Sequence, residues 1–517
     1  MKKRIRTILL LLIALAMSVC IAACGRKPCK AVILYTNDVH CNVKNYPLLS
    51  AYVADLKDKG ENVILGDGGD SVQGSFLGMI DEGASIINIM NSVGYDFAVP
   101  GNHDYDYGMD VFLNNTENSD FAYVSCNFSG TQQEREAFIH EPYFMAECNG
   151  HNVAFIGIET TDDIGTCIEP VQRAVDDARR NGAEVVIVVG HIGVKTGEEL
   201  MANITGVDFF LNAHDHLLCD GEGNKVSYVS ADGRDVPVFE AGANMEYICR
   251  LDVQFSDGSF EYEVSMKTQE DIQSELGETM SAKAAAAMKN TEDKVAGLIK
   301  QKEELNYPVG KSECVLCVYD PVQFPLCNDF IEYNSSDMVA DAYRSVAETD
   351  IAMVNTTALR NGIQKGYFGK MDLCDFIPWF ENVYAADLTG RQIMDILERD
   401  TVNWPKYTEN QPAVSGMTFS VDTTKKAPGR VHDVIIGDEP IDLSRTYSVA
   451  SSSYYLFEAT GSITGIDESK CRCIGMDCDV LERYITETLG GVIPDSLYGS
   501  LPGDGRIHLE FKDKLKD

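Results

Sequence analysis

Five of the nine histidines in this chain lie in polar loops that directly follow short apolar runs. They are His40, His103, His191, His214 and His216, and the loop Gly68-Gly69-Asp70-Ser71 adds a carboxylate. Imidazole and carboxylate ligands together suit Zn²⁺, Mn²⁺ or Fe²⁺, whereas thiolates alone indicate structural zinc. The set therefore predicts a catalytic metal site. His140, His151, His432 and His508 lack this loop context, and we expect them to be structural.

The chemistry that suits such a set is hydrolysis of a phosphate ester. Two cations held about 3.5–4 Å apart can clamp a phosphoryl oxygen and activate the attacking hydroxide. One bridging carboxylate is the simplest way to hold two cations that close, and we expect Asp70 to be this bridge. The glycines beside Asp70 allow the backbone to approach the metals.

The apolar runs that precede these loops predict buried strands. Each is four to six residues long and rich in Val, Ile and Phe. They cover residues 31–35, 62–65, 95–99, 153–158, 184–189 and 207–211. Helical intervals such as 169–181 separate them, which favours an α/β (α+β) fold over an all-β sandwich. Loops at the carboxyl ends of buried strands converge, so ligands far apart in sequence can share one site.

The 517 residues exceed the size of a single core, which predicts at least two domains. Residues 281–305 are rich in Ala, Lys and Glu and predict a helix that ends before Pro308. We therefore expect one domain over 30–280, a helical linker over 281–309 and a second α/β domain over 310–517.

The N-terminal 24 residues have the pattern of an export signal. A basic segment at 2–6 precedes an apolar run over 8–23, which is short for a membrane span and typical of a signal peptide. The run ends in Ile-Ala-Ala-Cys-Gly, which resembles a bacterial lipobox, so Cys24 would carry a lipid anchor. The expected location is the outer face of the cell membrane. The alternative is a secreted protein cleaved after Ala23.

Charge excludes one class of partner. The chain has 80 acidic and 43 basic residues, for a formal net charge of −37. Recognition of a nucleic-acid backbone requires a basic surface, so no nucleic-acid polymer is expected as a partner. A small phosphorylated substrate remains compatible, because a local metal or cation overrides the global field. Fourteen of the 16 cysteines lie beyond Cys24, and we expect mainly free thiols, with disulfides as the open alternative.

The order DVH, GGD, GNHD, GH and HDH resembles the calcineurin-type metallophosphoesterases. More specifically, residues 30–510 resemble the bacterial 5′-nucleotidase and UDP-sugar hydrolase family. The resemblance implies a four-layer α/β/β/α sandwich followed by a substrate-binding domain. It also implies two divalent ions of the Zn, Mn, Fe or Co class, one held by Asp38, His40, Asp70 and His216 and one by Asp70, Asn102, His191 and His214. His103 would stabilise the phosphate, with Asp106 as its partner.

The second half carries weaker motifs of the same family. Asn355-Thr-Thr-Ala-Leu-Arg360 occupies the place of Asn-x-Gly-Gly-Ile-Arg, and residues 375–382 match Leu-Pro-Phe-x-Asn. The resemblance implies that Asn355 and Arg360 contact the substrate. Trp379 would supply one aromatic face for a base, and Tyr454 or Tyr455 the other.

Three departures from the family pattern fall in this half. Thr357 and Ala358 replace two motif glycines, and Ile331 replaces an expected arginine. The segment 454–461 lacks the acidic residue that would hold the ribose hydroxyls, and Glu458 would replace it only if the loop is rebuilt.

The leading hypothesis is a surface-anchored dimetal phosphoesterase that hydrolyses nucleotide phosphates by attack of a metal-bound hydroxide. The first alternative keeps the enzyme class but changes the substrate: a 2′,3′-cyclic-nucleotide 2′-phosphodiesterase/3′-nucleotidase, a UDP-sugar hydrolase or a general phosphomonoesterase. A second alternative is a nucleotide- or metal-binding lipoprotein without turnover. The His103 and Asp106 pair argues against it, because binding alone does not require such a dyad.

Overall fold

The computed structural model describes residues 29–510, except for 138–139, 162, 222, 257, 278–279, 319–331, 380, 405–410 and 502. The proposed lipid site Cys24 and the remainder of the export signal lie outside the described residues. The chain divides into two compact units, the first ending at Lys300 and the second beginning at Gln301, with Gly74–Phe76 assigned to the second unit. Among the described residues, no helix combines the length and apolar character needed to cross a membrane.

Two sheets form the centre of the first unit. Within the described residues, the strands of one sheet are, in spatial order, Ser259–Lys267, Ile248–Ser256, Cys29–Thr36, Asn62–Asp67, Phe97–Ala98, Ala122–Val124 and His140–Glu141. Those of the other are Leu218–Cys219, Asp235–Ala241, Phe209–Asn212, Ala183–Gly190, His151–Ile158 and Tyr143–Cys148, with Val226–Val229 paired to Asp235–Ala241. All six predicted strand runs are confirmed, and Phe97–Ala98 is the shortest of them.

Helices cover the outer faces of both sheets. Those of this unit are Tyr46–Asp58, Ala84–Val93, Met109–Glu117, Gln132–Ala137, Ile168–Arg180, Gly193–Met201 and Gln269–Leu276, and Phe76–Met79 and Ala282–Leu305 continue into the second unit. Alternate residues of one strand enter different cores: Val32 and Leu34 pack with the helices, whereas Ile33 and Tyr35 pack between the sheets. A third core, which includes Val188, lies outside the other sheet. The unit is therefore the expected four-layer α/β/β/α sandwich.

The second unit is also mixed α/β, as expected. Its described strands form three sheets. In spatial order, the strands of the first are Gly366–Gly369, Pro308–Ser312 and Val492–Ile493, and those of the second are Pro412–Ser415, Ile351–Asn355, Thr446–Ser452, Asn382–Thr389 and Arg472–Met476. The strands of the third are Glu439–Pro440, Val431–Ile436, Met417–Asp422 and Ile507–Glu510. Its helices are Asn334–Ala347, Lys370–Phe376, Gly390–Asp400, Gly461–Thr464, Asp477–Arg483 and Asp495–Tyr498, with π-helical turns at Tyr454–Ala459 and Tyr484–Thr488.

One acidic cluster of the second unit has its own counter-ion. Oxygens of Glu332, Asp337 and Asp504 lie within 4.8 Å of one another. The Arg506 guanidinium donates to Asp504 over 2.8 Å, and its Nε lies 3.9 Å from Asp337 Oδ1. Because the arginine supplies the positive charge, the cluster is explained as an ion-pair network that ties the start of the helix Asn334–Ala347 to the C-terminal strand.

The cysteines of the described residues are unbridged, as expected, and most of them are buried. The pair Cys314 and Cys317 packs in the core of the second unit. Within the described part of the chain, no group that could hold a metal contains a cysteine. The thiols therefore contribute to packing, and the candidate metal chemistry rests on histidine and carboxylate.

Candidate metal centre

The polar loops at the strand ends adopt unusual backbone conformations. Asp38, His40, Asp70, His214 and His216 all have positive φ, between 49° and 90°. A left-handed conformation costs an L-residue roughly 1–2 kcal/mol, so five such residues are tolerated only where the surroundings hold them in place. Strain of this kind concentrates at functional sites, and here it coincides with five of the predicted metal ligands.

A first group of side chains brings together three of these residues. Asp38 Oδ1 lies 3.4 Å from His216 Nε2 and 4.0 Å from His40 Nε2. The two imidazole nitrogens are themselves 3.1 Å apart. Two ring nitrogens and a carboxylate oxygen that face one another at these distances are suited to share one cation.

A second group uses the same Asp38 oxygen. His191 Nε2 lies 3.0 Å from Asp70 Oδ2 and 3.8 Å from Asp38 Oδ1. In a separate contact, His214 Nδ1 lies 3.0 Å from the amide oxygen Oδ1 of Asn102. Of the predicted ligands, the structure groups Asp38 with His40 and His216 and, separately, Asp38 with Asp70 and His191, so the shared carboxylate is Asp38 rather than Asp70. The bridging role of Asp70 stays a prediction.

Hydrogen bonds from the opposite ring nitrogens orient two of the imidazoles. His40 Nδ1 pairs with the Gln73 carbonyl at 3.0 Å, and His191 Nδ1 pairs with the Gly68 carbonyl at 2.7 Å. Each carbonyl accepts a hydrogen bond from Nδ1–H, so Nε2 is left to face the group of ligands, as in metal-binding histidines generally. Asp38 Oδ1 is buried and has no hydrogen-bond partner. A buried carboxylate oxygen of this kind fits a cation, because leaving it unpaired is costly.

The surroundings shift the pKa values of two buried histidines in opposite directions. Burial and the neighbouring His216 lower the pKa of His40 to about 3, so its ring is neutral and able to act as a ligand. Burial also opposes the charge on His191, but Asp70 and Asp38 outweigh it and raise the pKa of His191 to about 10. That histidine is held as a cation by two carboxylates, and a divalent ion would take over the same role.

His103 and Asp106 form the predicted dyad geometry. His103 Nδ1 lies 2.9 Å from Asp106 Oδ2, and both side chains are partly exposed. The His103 backbone N–H donates to Asp70 Oδ1 over 2.8 Å, which places the dyad directly beside the carboxylate groups. Gly101 makes this approach possible, because a Cβ there would lie 2.1 Å from Asp70 Oδ1.

Sequence reasoning missed three polar residues that hold the loops. Asn37 donates to Asp38 Oδ2 and accepts from the Ala241 N–H. Asp104 Oδ2 accepts from the backbone of Gly101 and Asp70. Glu240 contacts the loop that carries His214 and His216. Asn37 directly precedes the DVH motif and Asp104 closes the GNHD motif, so their positions were a usable signal, whereas Glu240 belongs to no motif.

The predicted substrate residues lie in the second unit. Asn355 Oδ1 accepts from the backbone N–H and hydroxyl of Thr357. The Arg360 guanidinium lies 4.7 Å from the ring centroid of Trp379, whose indole N–H donates to the Ala358 carbonyl. The 356–358 turn therefore connects the two motifs.

The choice between the two tyrosines is settled by burial. Tyr455 is only 1 % exposed, and its hydroxyl donates to Asp400. Tyr455 is thus wrong as a candidate for a base-stacking face. Tyr454 is half-buried, and its backbone N–H donates to Glu381 over 3.0 Å. Glu458 is exposed, and its ribose role stays untested.

Two family models match the chain. Residues 31–218 match the calcineurin-like phosphoesterases, and residues 315–467 match the 5′-nucleotidase C-terminal domain. Together with the four-layer sandwich and the histidine and carboxylate groups, these matches define the class. The chain belongs to the calcineurin-like phosphoesterases that carry a 5′-nucleotidase C-terminal domain, a group of hydrolases.

Individual relatives agree with this class. The chain is 25 % identical over 477 residues to the trifunctional nucleotide phosphoesterase protein YfkN of Bacillus subtilis (strain 168), covering 82 % of this chain but only 31 % of that relative. It is 23 % identical over 519 residues to a 5′-nucleotidase of Vibrio cholerae, covering 89 % of this chain and 90 % of the relative. The crystal structure of a 5′-nucleotidase precursor from Thermus thermophilus shares the fold with a TM-score of 0.77, at 19 % identity and with coverage of 93 % and 99 %.

Proposed function

We propose that this protein hydrolyses phosphate monoesters of nucleotides and uses two divalent cations. The observation that carries the proposal is the pair of histidine and carboxylate groups that share Asp38 and lie beside the His103 and Asp106 dyad. A site for binding alone would need the ligands but not the dyad. The family match sets the reaction class, and the nucleotide substrate is inferred from the relatives.

The ligand assignment is the one that the family resemblance implies, and the two groups of side chains support parts of it. Asp38, His40, Asp70 and His216 would hold one ion, and Asp70, Asn102, His191 and His214 the other. Bound there, two cations supply charge neutralisation at a phosphoryl oxygen and lower the pKa of a water molecule. The mixed nitrogen and oxygen donors admit Zn²⁺, Mn²⁺, Fe²⁺ or Co²⁺. Asp70 Oδ2 lies 3.0 Å from His191 Nε2, and its assignment as the bridge rests on the family resemblance.

His103 would act on the phosphate directly. Asp106 accepts a hydrogen bond from Nδ1 and fixes the ring, and in the doubly protonated imidazolium Nε2 also carries a proton that it can donate. A proton held at Nε2 stabilises the negative charge that builds up on the phosphoryl or leaving oxygen. The partial exposure of His103 leaves it accessible to a substrate, whereas the imidazoles of His40 and His191 are buried.

The second unit would bind the nucleoside through Asn355, Arg360, Trp379 and Tyr454. The contact between Arg360 and Trp379 supports this assignment, because it orients a cationic group and a π-face together. A nucleobase stacked on Trp379 would gain about 1–3 kcal/mol, with little dependence on which base is bound.

Replacement of Trp379 with alanine tests nucleoside recognition. We expect the KM for AMP to rise roughly tenfold or more, because about 1–3 kcal/mol of stacking is lost. Hydrolysis of 4-nitrophenyl phosphate should stay unchanged, since it has no nucleoside. The measurement is phosphate release from both substrates, with the second tryptophan variant, Trp404→Phe, as a control that alters a buried ring. An equal loss on both substrates would contradict the proposal.

The altered 454–461 segment supports a second candidate substrate, a 2′,3′-cyclic nucleotide. This segment lacks the acidic residue that the family pattern expects for ribose; Glu458 is exposed there, and Glu381 accepts from the Tyr454 backbone N–H. Comparison of AMP, 3′-AMP, 2′,3′-cyclic AMP and UDP-glucose separates a 5′-nucleotidase from a 2′,3′-cyclic-nucleotide 2′-phosphodiesterase/3′-nucleotidase and from a UDP-sugar hydrolase. Preference for AMP supports the leading proposal, whereas preference for the cyclic ester supports the second.

Export and lipid attachment at Cys24 complete the proposal. The basic and apolar segments before Cys24 support it, and several acyl chains would each add about 0.8 kcal/mol of membrane affinity per buried methylene. We expect the protein to partition into detergent from a bacterial host that processes lipoproteins. The wild type should incorporate radiolabelled palmitate, and the Cys24→Ser variant should not. Equal labelling of both proteins would contradict lipid attachment at this residue.

A further inference from the structure

The loop that carries His214 and His216 crosses over the end of a neighbouring strand. It connects Phe209–Asn212 to Leu218–Cys219, and the strand Asp235–Ala241 lies between these two in the sheet. Glu240 is near the end of that middle strand, opposite Cys219 in the antiparallel register. Its side chain is therefore directly beneath the crossing loop.

The two carboxylate oxygens of Glu240 bind the two ends of this loop. Oε2 accepts from the Asn212 side-chain amide over 2.6 Å, just before the histidines. Oε1 accepts from the Leu217 backbone N–H over 2.8 Å, just after them. Glu240 is fully buried, and within the described residues no lysine or arginine forms an ion pair with it. A buried carboxyl group without a cation is costly, so a structural need must maintain it.

The backbone conformation of the loop explains why it requires support from Glu240. His214 has a φ of 90° and His216 a φ of 57°, and two such residues cost roughly 1–2 kcal/mol each. The middle of the loop is also bonded, since the His214 N–H donates to Asp38 Oδ2 and Asp215 Oδ2 accepts from the Val194 N–H. Without the Glu240 bonds at its two ends, we expect the strained residues to relax toward ordinary φ values and to displace both imidazoles. Bonds at Asn212 and Leu217 remove that freedom, because they fix the residues on either side of the strained segment.

We infer that Glu240 is a positioning residue for both metal ions. It does not reach the proposed ligand cluster itself; it acts through the loop, whose two histidines belong to different groups of ligands. His216 faces Asp38 and His40, whereas His214 faces Asn102. Loss of Glu240 should therefore weaken both ions together. The inference rests on the proposed function, since it assumes that these groups bind metal.

A pair of substitutions tests this inference. Glu240→Ala removes both loop bonds, and we expect the affinity for Mn²⁺ or Zn²⁺ to fall roughly 10–100-fold at both sites, as for other residues that orient metal ligands. Glu240→Gln should restore it. The glutamine oxygen can accept from Leu217, and its amide can donate to Asn212 Oδ1, which is buried without a partner and becomes available when the Asn212 amide rotates.

The control is Asp208→Ala, at the opposite end of the strand Phe209–Asn212. Asp208 Oδ2 likewise accepts a backbone N–H, from Val186, and pairs with Arg179. This variant should lower thermal stability but leave metal affinity unchanged. Metal content and affinity are measured on full-length chelator-treated protein by elemental analysis and by titration with Mn²⁺ and Zn²⁺.

Three outcomes separate the possibilities. Weaker binding in Glu240→Ala, recovery in Glu240→Gln and unchanged binding in Asp208→Ala would support the positioning role. Metal affinity of Glu240→Ala equal to that of the wild type would overturn it, as would an equal loss in Asp208→Ala. If the wild type binds two ions but releases no phosphate, the proposed activity fails, while the positioning role is still decided by the binding data.

Discussion

Replacing Asp70 with asparagine should reduce phosphate release from AMP and 4-nitrophenyl phosphate by roughly 10³-fold or more, equivalent to about 4 kcal/mol of transition-state stabilisation. The asparagine can still accept the His103 N–H, so the loop geometry is retained. The substitution removes the negative charge that lies 3.0 Å from His191 and the oxygen proposed to bridge the ions. We expect the bound metal to fall from two ions to at most one.

The measurement combines steady-state kinetics with elemental analysis of the same preparation. Asp110→Asn is the matched control, because Asp110 is an exposed carboxylate in the first turn of the nearby helix Met109–Glu117. It should behave as the wild type. An Asp70→Asn protein that retains two ions and turns over within tenfold of the wild type would contradict the assignment, and Asp38 would then be the better candidate for the bridge.

Replacing His103 with alanine should lower kcat by roughly 10²–10⁴-fold and leave the metal content at two ions. The reason is that His103 is not in either group of ligands, yet it is held against Asp106 and next to the Asp70 loop. Loss of its proton donor removes stabilisation of the reacting phosphate without removing a ligand. Asp106→Asn should have a smaller effect, roughly 10–100-fold, because the imidazole remains but loses its orienting partner.

A large fall in kcat with unchanged metal content in His103→Ala would distinguish a residue that acts on the phosphate from a metal ligand. His508→Ala serves as the control, since His508 is an exposed histidine of the second unit with no loop context. A loss of metal in His103→Ala would make His103 a ligand, and unchanged turnover would remove it from the mechanism.

The sequence predicted the parts of the site that depend on local pattern. A buried β-run followed by a polar loop places Asp38 and Asp70 at the ends of neighbouring parallel strands of one sheet, and His191 at the end of a strand of the other sheet. The spacing of His103 and Asp106 fits a single 3-10 turn at Asn102–Tyr105, which is why the dyad was found from the motif.

The parts that depend on strand order were beyond the sequence. Glu240 contacts Asn212 and Leu217 only because its strand is inserted between the two strands that flank their loop. Nothing in the local sequence around Glu240 indicates that insertion. The same holds for Asp38, whose shared position between the two ligand groups depends on how four separate loops meet.

The sequence left Tyr454 and Tyr455 as alternatives for a local reason. Tyr454 and Tyr455 are adjacent in a π-helical turn, so one must face the core and the other must not. Both residues are tyrosines and adjacent in the chain, and the sequence offers no means to choose between them. The hydroxyl of Tyr455 bonds to the buried Asp400, and that contact between distant segments decides the orientation.

The most direct test of the central claim is a metal titration of the chelator-treated full-length protein with AMP present. Mn²⁺ is added stepwise, and bound ions and released phosphate are measured on the same samples. We predict no release without metal, and activity that rises with the second ion bound and is lost again when the chelator is restored. Full activity in the chelated protein, or two bound ions without phosphate release, would contradict the account.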